Sequence, residues 1–172
     1  MKVAVSTDLV RKNLTLYRRT EHRLDKLREL AECSSDSEVI RQSLRYFEQF
    51  VEDWRHQRPV VAVRTDGSEL EITMHNLDEA NIEGEPFVRR NLTVHPRSVE
   101  RLEALQRDSE LDSESETVRY ALKLFEILLT EAERQSRFFV GRRRERVEVR
   151  IGNISATAAV AKKAQGGRRA VG

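Results

Sequence analysis

One cysteine, Cys33, stands in the 172 residues of the chain. An intrachain disulfide and a cysteine-only metal site are therefore excluded, and a reducing compartment is expected. Glycine occurs seven times and proline three times, which leaves little room for glycine-rich loops around phosphate groups. The patterns G-x-x-x-x-G-K-[ST], G-x-S-x-G, H-E-x-x-H and C-x-x-C do not occur. The expectation is a protein that is not an enzyme and carries no cofactor. His22, His56 and His75 lack ligand spacing, so no metal site is expected. No apolar run approaches the roughly 18 residues that span a bilayer, so no membrane partner is expected. The opening residues MKVAVSTDLVRK lack an apolar signal region, and a cytoplasmic location follows as an expectation.

Charge, by contrast, is abundant and unevenly placed. Charged residues make up 35% of the chain, with a formal net charge of +2. Between Asp66 and Phe87 there are seven acids and no Lys or Arg, whereas Gly141 to Gly172 holds nine bases against two acids. A basic stretch beside a near-neutral body points to a polyanion partner or to a solvated terminus.

The chain also repeats itself. Shifted by 78 positions, RKNLTLYRRTEHRLDKLRELAECSSDSEVIRQSLRYFEQF from Arg11 falls without a gap on RRNLTVHPRSVERLEALQRDSELDSESETVRYALKLFEIL from Arg89. RPVVAVRTDGSELEITMHNL from Arg58 then resembles SRFFVGRRRERVEVRIGNI from Ser136, with one residue deleted at the turn.

Each copy reads as strand, helix, helix, hairpin. Asn-Leu-Thr-Leu-Tyr and Asn-Leu-Thr-Val-His alternate polar and apolar, the period of a half-buried strand. Leu14, Leu16, Leu92 and Val94 take one face. A first helix carries Leu24, Leu27, Leu30 and Ala31 in one copy and Val99, Leu102 and Leu105 in the other, with Pro96 suited to its first turn. A second helix opens on S-x-x-E at Ser35–Glu38 and Ser113–Glu116, where hydroxyl and carboxylate can cap the free N–H groups. Its apolar stripe runs through Ile40, Leu44, Phe47, Val51 and Trp54, and again through Val118, Leu122, Phe125, Leu129 and Ala132. Hairpins follow, the first around Asp66-Gly67 and the second around an Arg-rich turn.

A five-residue strand needs a partner for its backbone groups, and the repeat supplies one. Pairing of the two copies would lay four helices beneath a two-stranded ribbon. The ribbon's outer face would show Asn13, Thr15, Tyr17, Asn91, Thr93 and His95, rimmed by Arg11, Lys12, Arg89 and Arg90. Such a ribbon fits the major groove of B-DNA, where Asn, Thr and Arg can read base edges.

NLTLYRRTEHRLDKL with SDSEVIRQSL, and NLTVHPRSVERLEAL with SESETVRYAL, resemble the ribbon-helix-helix DNA-binding family to which the Arc and MetJ repressors belong. The resemblance implies base contacts at Asn13, Thr15, Tyr17, Asn91, Thr93 and His95. It implies phosphate anchoring where the second helices begin, at Ser35 and Ser37 and at Ser113 and Ser115, with Arg11, Lys12, Arg89 and Arg90 as further phosphate contacts.

The resulting expectation is a mainly α fold with a β-ribbon, a duplicated ribbon-helix-helix pseudo-dimer in one chain. Its parts are unit 1 (11–57), a hairpin (58–77), an acidic linker (78–88), unit 2 (89–135), a second hairpin (136–154) and a disordered basic tail (155–172). The expected function is sequence-specific binding of double-stranded DNA as a nucleoid-associated transcriptional repressor, with homo-oligomers on adjacent half-sites. An antitoxin with a toxin partner, a plasmid transfer or segregation accessory protein, and a protein-binding scaffold are the alternatives.

Overall fold

The computed structural model describes residues 8–79 and 82–151; the basic tail and the last residues of the second hairpin lie outside them. β1 (Val10–Tyr17) leads directly into α1 (Arg18–Leu30) and α2 (Asp36–Arg55). β2 (Val60–Val63), β3 (Glu69–Ile72) and the one-turn α3 (Met74–Leu77) follow. The second copy gives β4 (Phe87–Val94), α4 (Pro96–Asp108), α5 (Glu114–Glu133), β5 (Arg137–Val140) and β6 (Val147–Val149). The described residues thus hold five helices and two small antiparallel sheets, a mixed α/β arrangement rather than the mainly α one expected.

The difference arises at the hairpins. They do not stand apart; β2 pairs with β5, making one four-stranded sheet in the order β3-β2-β5-β6. The other sheet is β1 with β4, antiparallel, with Asn13 opposite Asn91. In the second sheet Val61 lies opposite Phe139. Both pairings are therefore centred on residues 78 positions apart, the period of the sequence repeat.

Apolar alternation places Leu14, Leu16, Leu92 and Val94 of the ribbon against the helices, all buried. A two-stranded ribbon alone is marginal in water. Burial of four such side chains, each worth about 1.5–3 kcal/mol, holds this one down. α2 and α5 fill the centre, with Phe47 and Phe125 fully enclosed. Trp54, placed on the α2 stripe by spacing, is instead 38% exposed. At the last turn the buried face passes to Phe50, Val51 and Asp53, because Asp53 is drawn inward onto Arg58 at 2.9 Å.

Described residues on either side of the connection are held against the helices. Leu77 is fully buried, Glu79 pairs with Arg19 and Arg23 of α1, and Glu85 pairs with Arg19. Three of the seven acids that the sequence showed as a block thus have basic partners inside the molecule, the third being Glu69, paired with Arg146 at 2.7 Å. α3 was not expected; Thr73 and Asn76 close a capping box around it. No helix among the described residues is long and apolar enough to cross a membrane.

Candidate nucleic-acid interface

Strand period fixes which side chains share the ribbon's outer face. From β1 these are Arg11, Asn13, Thr15 and Tyr17, and from β4 Phe87, Arg89, Asn91 and Thr93. Register stacks them as cross-strand pairs: Arg11 with Thr93, Asn13 with Asn91, Thr15 with Arg89, Tyr17 with Phe87. All are exposed except Tyr17. Arg11 and Arg89 make no ion pair among the described residues.

Three expectations are corrected here. Lys12 and Arg90 do not rim the outer face, because neighbours along a strand point to opposite sides. Both turn toward the helices, Lys12 to Glu114 at 2.8 Å and Arg90 to Glu21 at 2.6 Å. Tyr17 is only 7% exposed, its ring stacked under Phe87 at 4.9 Å between centroids. Two guanidiniums, Arg19 at 5.0 Å and Arg119 at 4.8 Å, lie over that Tyr17 ring. His95 is half-buried and caps α4, its Nδ1 accepting from the Arg97 N–H at 3.3 Å.

The second-helix starts flank the ribbon as expected. Ser35 and Ser113 are exposed N-caps, each hydroxyl accepting from the N–H of Glu38 or Glu116. The carboxylates reach one residue further back than the capping box required. Glu38 accepts from the Ser34 N–H and hydroxyl, and Glu116 from the Asp112 N–H. Those bonds from Ser34, backbone first and hydroxyl second, hold the Glu38 carboxyl below its ordinary range.

Ser37 and Ser115 tie each helix to the strand of the other copy. The Ser37 hydroxyl donates to the Thr93 carbonyl at 2.7 Å, and the Thr15 N–H donates to Ser115 Oγ at 3.0 Å. They are half-buried ties, whereas Ser35 and Ser113 remain open at the helix ends. The acids crowding these ends have partners too: Glu114 with Lys12, Asp36 with Arg28 at 3.3 Å, Glu38 with Arg41 at 3.7 Å.

Arg11 and Arg89, expected on the rim, and Phe87, not expected on the ribbon, all lie on its outer face. Strict alternation from Asn13 and Asn91 back to Leu9 and Phe87 contained the signal. Among the described residues no three His, Cys, Asp or Glu side chains gather as a metal site would need. A separate groove of about 1080 Å3 runs along α2 to β5 and β6, floored by Tyr46, Phe50, Leu128 and Val149.

Compared with protein-family models, with curated proteins and with solved structures, the chain matches none of them.

Proposed function

We propose that the chain is a sequence-specific double-stranded DNA-binding protein that lays the β1–β4 ribbon in the major groove and acts as a transcriptional repressor. One observation carries the reading. Arg11, Asn13, Thr15, Arg89, Asn91 and Thr93 form one exposed row on a ribbon whose opposite face is sealed by Leu14, Leu16, Leu92 and Val94. Two strands about 4.8 Å apart fit a groove about 12 Å wide. Arg can take guanine O6 and N7 there, Asn can take adenine N6 and N7, and Thr suits several edges.

The pairing of two strand-helix-helix copies within the chain supports the ribbon-helix-helix resemblance in a single-chain, duplicated form. In this reading Arg11 and Arg89 belong to the base-reading row rather than to the phosphate contacts. Ser35 and Ser113, at open helix N-termini on either side, are the phosphate anchors, since free N–H groups and the helix dipole favour an anion there. A protein seated in this way would repress by covering a promoter.

Selection of bound sequences from a random DNA pool tests the proposal. It predicts enrichment of a partly palindromic site, with guanine and adenine at positions facing the Arg–Asn row. Recovery of unenriched pool sequence would overturn it. The apolar-floored groove along α2 favours antitoxin as the second reading, because a toxin segment could lie in it. Copurification of a small partner protein that Val149→Asp releases would establish that role.

A further inference from the structure

We propose that Phe87, with Leu9 as its weaker counterpart, reads thymine methyl groups at the outer ends of the DNA site. This inference rests on the DNA-binding reading and extends it to two side chains that the family resemblance does not reach. The sequence repeat continues two residues upstream of Arg11 and Arg89, as Leu9-Val10-Arg11-Lys12-Asn13-Leu14-Thr15 against Phe87-Val88-Arg89-Arg90-Asn91-Leu92-Thr93.

One exposed apolar side chain on a surface means little. Here the same repeat position is apolar in both copies and open in both, Leu9 at 61% and Phe87 at 59%. Phe87 continues the row of Arg89, Asn91 and Thr93, two residues beyond Arg89. At about 3.4 Å per residue it stands roughly 7 Å outward along the ribbon from the Arg89 position.

The chemistry of that row is otherwise polar. Polar and cationic groups suit the donors and acceptors of the major groove, but its one apolar landmark is the C5-methyl of thymine. An aromatic or aliphatic side chain at the edge of the row has that methyl as its natural contact.

The Phe87 ring is also held ready. Tyr17 lies beneath it, stacked at an interplanar angle of 28°. Tyr17 is in turn covered by the guanidiniums of Arg19 and Arg119. At the other end Tyr17 is replaced by His95, which is engaged as the α4 cap, and Leu9 precedes the first strand residue, Val10. The two ends are therefore unequal. The thymine preference belongs chiefly to the Phe87 end, and the DNA site is asymmetric in that respect although the repeat is not.

The experiment starts from the site recovered by selection with the full chain. Each outer thymine is replaced in turn by deoxyuridine, which lacks only the methyl group, and affinity is measured by gel shift. One methyl contact is worth about a fourfold change. The wild-type chain should bind about fourfold more weakly when the thymine at one end is replaced, and less than twofold more weakly at the other. Phe87→Ala should abolish the difference at the sensitive end while leaving base preference opposite Asn13 and Asn91 unchanged. A selected site without thymine at its outer positions would overturn the inference. So would equal affinity for thymine and deoxyuridine in the wild-type chain, or methyl sensitivity that survives Phe87→Ala. In each of those cases selective binding itself would persist, so the DNA-binding reading would stand. Absence of any selected site would remove both.

Discussion

Glu32, Gln57, Glu110 and Gln135 each hold the left-handed corner that ends one of the four long helices, with φ between 51° and 62°. The next N–H closes the turn in every case, for example Cys33 to the Arg28 carbonyl at 2.9 Å and Leu111 to the Gln106 carbonyl at 3.2 Å. Such corners favour glycine. A side chain there costs about 1–2 kcal/mol, against which glycine loses about 0.5–1 kcal/mol of unfolded-state freedom. Glu32→Gly and Glu110→Gly should each raise stability by about 0.5 kcal/mol in denaturant unfolding; a loss would contradict this account of the turns. A helix end without glycine was hard to place from sequence, since Glu and Gln carry no turn signal. Arg89 illustrates the opposite case. Its side of the ribbon follows from alternation alone, which puts it in the row with Asn91 instead of on the rim. Arg89→Ala should cost about 1–3 kcal/mol at one base position rather than a uniform loss over all sequences, as read by gel shifts on sites varied one base at a time.

Elements here are joined by buried acids at one repeat position. Asp53 takes Arg58 near the end of α2, and Glu131, 78 residues on, takes Arg64 near the end of α5. The Arg64 guanidinium meets both Glu131 oxygens, at 2.9 and 3.1 Å, and Ser136 donates to one of them at 2.7 Å. The hydrogen bonds from Arg64, against the opposing pull of burial and with Ser136 in support, hold the Glu131 carboxyl below its ordinary value of 4.5. A carboxyl lowered in the folded state contributes its stability above the unfolded value and loses it as pH falls through the folded one. Glu131→Gln should therefore cost about 2 kcal/mol at pH 7 and much less well below pH 4. The check is the difference in unfolding midpoint between the two chains across that range, which should shrink on acidification. The helices were legible from their apolar stripes and S-x-x-E starts, and both hairpins from alternation around turns. The union of the hairpins was not, because β2–β5 pairing is a contact between distant segments that no local period announces. α3 was hidden for a related reason. Met74 continues the strand alternation of Leu70 and Ile72, and only the three-residue step to Leu77, with Thr73 and Asn76 as the cap, marks the turn of helix.

Across the whole molecule the two sheets sit at opposite ends of α2 and α5. A 20-residue helix is about 30 Å long. The ribbon touches the first turns at Ser37 and Ser115, and the four-stranded sheet follows the last. DNA held on the ribbon, as proposed, would lie roughly 30 Å from the Arg142–Arg146 turn, which makes its own contacts to Gln57 and Glu69. Neutralising that turn with Arg143→Ala and Arg144→Ala should leave DNA affinity and its salt dependence unchanged in titrations at two salt concentrations; a shallower salt slope would place the turn on the DNA. The duplication was the most legible feature of the sequence, since 78-residue self-similarity spans three different local patterns, whereas pairing within one chain, with Asn13 against Asn91, is seen only in the structure, because a repeat fits a partner strand from its own chain or from another equally well. The most direct test lies at that central pair. In the Asn13→Ala, Asn91→Ala double variant, the ratio of affinity for the selected site to affinity for random duplex should fall at least tenfold, while binding to random duplex and its salt slope stay as they were. An unchanged ratio in a folded double variant would contradict base reading by the ribbon.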